Sequence, residues 1–189
     1  MCSNDVKGAL AQALLAAQPA MLAAIYTEYM KENKRMARRV FFSFHFDHDS
    51  WRANQVRNSN VVAGTDVAGF FDHSEYEEAK KEGDEGIKRM ILRHLYNTTV
   101  TVVLIGTHTA QRRWVKYEIE QSIKRDNGLL GVYIHHLKDR NGDTSLPGPK
   151  PSVTAGVAFP AYNWDRDLGR FSREIEAAGK RSDALRGRR

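Results

Sequence analysis

TVTVVLIG (residues 99–106), THTAQ (107–111) and RRWVKYEIEQSIKRDN (112–127) read in succession as a buried strand, a short polar turn and an amphipathic helix. The run Thr101 to Ile105 is short, apolar and β-branched, and Gly106 ends it, a pattern that suits a central parallel strand covered on both faces. Thr109 is placed to cap the following helix. Val115, Ile119, Ser122 and Ile123 keep the helical spacing and form its core face, and Gly128 is placed to end it. Trp114 and Glu118 are four apart, so they share a face beside that core stripe. An indole and an acid just past the carboxyl end of a central strand stand where open α/β sheets bind ligands. From spacing alone the commoner reading is plainer: Glu118 solvated and paired with Lys116 or Arg125, and Trp114 packing.

The rest of the chain extends this frame on both sides. VFFSFHF (40–46) reads as the first strand, with Phe42, Phe44 and Phe46 making one aromatic face and Ser43 and His45 on the other. Ser50 can then cap a short helix through Val56. Val61 to Gly64 reads as a second short strand. Residues 69–86 read as a long exposed connection with a helical turn or two. Asp84 would cap a helix from Glu85 to Tyr96, with Ile87, Met90, Ile91 and Leu95 inward. Leu129 to His135 form the fourth strand, and Gly156 to Phe159 a short edge strand. A final helix starts at Asp165 or Asp167, with Leu168, Phe171 and Ile175 inward. Repeated strand–helix order predicts a flavodoxin-like α/β sandwich, a mostly parallel sheet with helices on both faces.

The 189 residues fit one domain with appendages: a helix-prone extension at 1–35, the main fold at 36–179, and a basic, disordered tail at 180–189. The tail holds five basic residues against one acid, so most of the net charge of +6 is its property and the folded part is near neutral. That argues against a nucleic-acid groove. A basic-tail nucleic-acid binder would show salt-dependent binding that is lost with residues 180–189. One cysteine, Cys2, allows no disulfide within the chain and suits a reducing compartment. No run is apolar enough to span a bilayer, and Asp5, Gln12 and Gln18 spoil a signal-peptide reading of the start, so a cytoplasmic protein is expected.

His45, Asp47, His48 and Asp49 form the densest ligand-like cluster. On an extended strand His48 would point away from His45 and Asp47, so no metal site is expected. A phosphoacceptor receiver would need an aspartate after the central strand, where this chain has Gly106 and Thr107. Glycine-rich phosphate loops and the GxSxG nucleophile motif are absent. If the chain is an enzyme, the chemistry falls to a carboxylate, and Glu118 has the best position.

Taken together, MARR followed by VFFSFHFD (36–47), then FDHSEYEEAKKEGDEGIKRMI (71–91) and TVTVVLIGTHTAQRRWVKYEI (99–119), resemble the TIR-like proteins of the bacterial Thoeris antiphage system. The resemblance covers roughly residues 36–137, with a weaker echo in AYNWD (161–165) and the last helix. It implies a parallel five-stranded sheet and an NAD-consuming activity. The nicotinamide–ribose bond would be cleaved, and a cyclic ADP-ribose-type signal would activate a separate effector. It further implies that Glu118 is the catalytic residue and that Ser43, Phe44, His45, Asp47 and Trp114 contact the substrate. NAD is then substrate rather than cofactor. Many TIR domains carry a basic residue just after the first strand's aromatic, where this chain has His45. Residues 69–86 correspond to the loop that gates the site and mediates assembly, and TIR–TIR contacts imply a homo-oligomer. The alternative is a non-catalytic TIR-like interaction module, which would tolerate Glu118→Gln.

Overall fold

The computed structural model describes residues 38–58, 67–69 and 73–188. The predicted helical extension at 1–35 and the predicted strand Val61 to Gly64 lie outside the described residues. Five strands form one parallel sheet in the order β2-β1-β3-β4-β5. They are β1 (Val40–Ser43), β2 (Val67–Gly69), β3 (Val100–Ile105), β4 (Gly128–Tyr133) and β5 (Ala161–Asn163). The helices are α1 (Phe46–Arg57), α2 (His73–Lys81), α3 (Gly83–Leu95), α4 (Arg113–Lys124) and α5 (Leu168–Arg186). The flavodoxin-like expectation is met.

The central strand explains both layers. Every residue of β3 is buried, and its side chains alternate between two cores. Val100, Val102 and Leu104 join Phe42 of β1 and Leu130 and Val132 of β4 against Ala53 and Val56 of α1 and Phe171 and Ile175 of α5. Val103 and Ile105 face the other way, onto Val115 and Ile119 of α4. On that same side Phe41 meets Ile87, Met90, Ile91 and Leu95, the predicted inward stripe of α3. Ser122, polar within the α4 core stripe, accepts a bond from Thr101 Oγ1 at 2.8 Å and donates to Glu118 O at 2.7 Å. It fastens the helix to the central strand.

Several expectations are corrected. β1 stops at Ser43, and Phe46 already opens α1, so Ser50 sits inside that helix and donates to Phe46 O instead of capping. Thr109 starts a 3₁₀ turn (Thr109–Gln111), and its hydroxyl accepts from Gly106 N at 2.8 Å, while Arg112 is the residue ahead of α4. Asp126, with φ 58°, makes the left-handed step after α4. Gly128 instead begins β4, where a Cβ would lie 1.8 Å from Ala178 O. Within the expected connection the helical turn or two is the nine-residue α2, and α3 begins at Gly83 with no side-chain cap, so Asp84 does not cap it. The edge strand is Ala161–Asn163, not Gly156 to Phe159.

Asp167 caps α5 by accepting from Arg170 N at 2.9 Å, as one of the two predicted starts required. Phe171 and Ile175 point inward but Leu168 is exposed. The supposed disordered tail is helical through Arg186. Its arginines cover free carbonyls: Arg181 donates to Leu129 O at 2.9 Å and Arg186 to Thr98 O at 2.8 Å. Among the described residues no helix is long and apolar enough to cross a membrane.

Candidate active site

In the order β2-β1-β3-β4-β5 the chain leaves in opposite directions from β1 and β3, which makes the carboxyl ends of those two strands the switch point where such sheets open a crevice. A pocket of about 340 Å³ lies there. One wall is the segment after β1 (Phe44, His45, Phe46 and Asp47). The other is the start of α4, from Gln111 to Val115, and Tyr76 of α2 and Met90 of α3 close a third side.

Glu118 lies at the inner end of this pocket, on the second turn of α4, and is only 4 % exposed. Its carboxyl accepts a 2.5 Å hydrogen bond from Ser43 Oγ, the last residue of β1. Burial pushes its pKa up to about 8, with the Ser43 bond pulling the other way. Burial therefore holds Glu118 mostly protonated at neutral pH. Neither Lys116 nor Arg125 pairs with it, so the solvated-carboxylate reading of Glu118 is set aside.

The structure brings Phe44, His45, Asp47, Trp114 and Glu118 to one pocket. Ser43 is different: it is fully buried behind Glu118 and does not line the pocket. Phe44 stacks on Phe46, and Phe46 on Tyr76 with ring centroids 4.4 Å apart. These rings form a continuous apolar wall. Trp114 lines the mouth, with the Arg113 guanidinium 4.2 Å above its ring and Tyr117 edge-on.

His45 carries no charge at neutral pH. Burial first, then the neighbouring Arg112 cation, lower its pKa to about 4. Because Phe46 starts a helix, His48 turns back toward His45 rather than away, with ring centroids 5.7 Å apart. Basic charge at the mouth comes instead from Arg112, whose Nη2 lies 3.5 Å from Asp47 Oδ2. Among the described residues no group of three or more His, Cys, Asp or Glu is arranged to hold a metal ion.

Sequence reasoning missed Tyr76, Gln111, Arg112 and Arg113. Tyr76 gives no local signal in an acidic stretch. The arginine pair was readable: two cations at a helix start oppose the helix dipole, which favours acids there.

Asp49 and Arg52, each 1 % exposed, form a buried pair on α1 outside the pocket lining. Arg52 donates to Leu137 O at 2.8 Å and Asp143 O at 3.0 Å, and its Nη1 lies 3.4 Å from Asp49 Oδ1. This pair ties α1 to the loop after β4. Gly106 accepts the close approach, since a Cβ there would lie 2.2 Å from Asp49 Oδ2.

A parallel flavodoxin-like sheet with a buried carboxyl and an aromatic-walled pocket at its switch point makes this an open, doubly wound α/β domain with a ligand-sized crevice. The family model for "Thoeris protein ThsB, TIR-like domain" matches residues 41–139, about half of the chain. A curated protein of Bacillus cereus (strain MSX-D12), named "Putative cyclic ADP-D-ribose synthase ThsB1", is 48 % identical over 138 residues, which cover 68 % of this chain and 72 % of that protein. The chain belongs to the Thoeris ThsB TIR-like family.

Proposed function

We propose that the protein is an NAD-consuming TIR enzyme that cleaves the nicotinamide–ribose bond and closes the remaining ADP-ribose into a cyclic signal for a separate antiphage effector. The observation that carries this reading is Glu118, a buried carboxyl at the inner end of a pocket of nucleotide-fragment size. The name of the Bacillus cereus relative supports the same substrate and product class.

Nicotinamide in NAD is a cationic leaving group. When the C1′–N bond breaks, its electron pair neutralises the pyridinium, so expulsion needs no acid. Positive charge develops on the ribose, as in glycoside hydrolysis. Ionised Glu118 stabilises that charge from a low-dielectric position, where its field is poorly screened. The cationic nicotinamide ring beside Glu118 favours the ionised carboxyl, so binding drives the Glu118 proton out to solvent. Ser43 holds the carboxyl's orientation. Phe44, Phe46, Tyr76 and Trp114 limit water, which leaves an internal nucleophile of the same molecule to attack C1′ rather than hydrolysis. TIR–TIR contacts between copies complete the assembly in this reading, and the product reaches its effector by diffusion.

The test is mass spectrometry of NAD incubated with purified protein, with and without phage-infected lysate, beside Glu118→Gln. Nicotinamide and a product of cyclic ADP-ribose mass are expected, with turnover in the variant lower by at least about 100-fold. Linear ADP-ribose alone would keep the hydrolase and remove the cyclase. No consumption in either condition, with Glu118→Gln still protective in cells, would establish an interaction module instead.

A further inference from the structure

We propose that the N-terminus of α4, together with Arg112, is the seat of the substrate's diphosphate; this rests on the reading of NAD as substrate. α4 is twelve residues long and starts with no side-chain cap and no acid in its first turn. Its leading N–H groups are therefore left to point outward. They belong to residues 113–115, which line the same pocket as Glu118. A helix start with free amides is a ready anion site, and two arginines there are electrostatically unfavourable until an anion arrives.

An independent observation lies across the pocket. His45 is 7 % exposed, lines the pocket, and has a hydrogen-bond partner on neither ring nitrogen. Buried polar groups without partners are uncommon. Its Nε2 lies 3.8 Å from Asp47 Oδ2, beyond hydrogen-bond reach. A neutral imidazole keeps one N–H to give, and a phosphate oxygen between α4 and the β1 segment would take it.

The two arginines divide the work. Arg113 is committed to the Trp114 ring and to Asp84. Arg112 is half exposed and meets Asp47 only at 3.5 Å, with both side chains in contact with solvent. Such a pair is weak and solvent-screened, so a diphosphate displaces Asp47 readily. Arg113 and Glu118 are five residues apart, about 7.5 Å along the helix axis. That separation suits a ribose 5′-phosphate with its anomeric carbon at Glu118 and its phosphate at the helix start.

The experiment is calorimetric titration of the full chain carrying Glu118→Gln, so that nothing turns over, with inorganic pyrophosphate, ADP and adenosine. Arg112→Gln should weaken ADP and pyrophosphate about 10-fold, as loss of a charge-assisted contact does. Arg112→Lys should recover part of the loss, adenosine should be unaffected, and melting temperature should not move. In the otherwise unaltered enzyme Arg112→Gln should raise KM for NAD and leave kcat nearly unchanged. Equal ADP affinity with and without Arg112, or ADP bound no tighter than adenosine, would overturn the seat. ADP weakened by Arg112→Gln in a protein that never consumes NAD would keep the seat and sink the NAD reading. NAD consumed with a KM that Arg112→Gln does not raise would do the reverse.

Discussion

Glu118→Gln should make the protein more stable, and by an amount that depends on pH. The glutamine keeps the shape of the side chain and an acceptor for Ser43, but it does not titrate. In the native protein the Glu118 carboxyl ionises near pH 8, against 4.5 for an ordinary glutamate. Between those two values the folded chain holds a proton that the unfolded chain has released. Raising the pH therefore favours unfolding of the parent protein, by about 1.4 kcal/mol per pH unit at most. The stability associated with Glu118 is fully present below about pH 4.5, declines across the window, and levels off above about pH 8 as the folded carboxyl ionises. From pH 5 to pH 7 the variant should gain about 3 kcal/mol on the parent. For a chain of this size that corresponds to a melting-temperature gap widening by about 6–12 °C. Differential scanning calorimetry of both proteins across pH 5 to 8.5 measures it. Parallel curves would show that the native carboxyl ionises at an ordinary pH, and the argument for a desolvated Glu118 would fail.

Other perturbations test the surrounding frame. Ser43→Ala removes the bond that restrains the Glu118 pKa, so the carboxyl should titrate above about 8, readable by infrared or NMR titration; it should also cost about 1–3 kcal/mol in urea denaturation at pH 8. An unmoved titration would mean that the Ser43 contact does not reach the carboxyl. Gly106→Ala forces a methyl against Asp49, which Arg52 and Thr109 hold in place, and should cost at least about 1–3 kcal/mol in the same assay. Arg52→Met strands the buried Asp49 carboxylate and two backbone carbonyls; a loss of about 3–5 kcal/mol is expected, partly relieved by adding Asp49→Asn. A loss within the range of an ordinary surface substitution would show that water reaches Asp49.

The parts of the fold that sequence made legible are those in which one pattern dominates. β3 is an unbroken β-branched run, and α3 and α4 carry clear helical stripes, so Ile87, Met90, Ile91, Leu95, Val115 and Ile119 were placed correctly. The aromatic alternation from Phe42 to Phe46 was misleading, because a turn into α1 also buries these rings, through Phe44 on Phe46 and Phe46 on Tyr76. Only a turn or two of α2 was legible because HSEYEEAKK has little apolar periodicity; its carboxylate Glu75 instead pairs with Arg93 and His94 of α3. The end of α5 looked like a solvated tail because its arginines bond to backbone carbonyls of β4 and of the turns beside it, a use that composition does not register. Spacing showed only that Glu118 and Trp114 share a face of α4; their place in a site came from the resemblance. The burial of Glu118 and its bond to Ser43 were not legible, since they depend on β1 and α4 packing side by side.

The Glu118 environment joins stability and chemistry in one feature. A carboxyl in water ionises without cost and exerts a screened field; a carboxyl under Phe44 and Trp114, bonded to Ser43, does neither. Holding it there costs the fold stability at neutral pH, and a substitution that abolishes the charge should recover that stability. In the NAD-consuming reading that cost is offset when the cationic nicotinamide ring enters the pocket. A positively charged substrate group lowers the carboxyl's pKa on arrival, so the strong local field is present when the site is occupied and largely absent when it is empty. A site built merely to pack would have a leucine or a glutamine in place of Glu118. In the NAD-consuming reading an acid at this position, its proton held by burial and that hold opposed by Ser43, supplies its charge only when substrate binds.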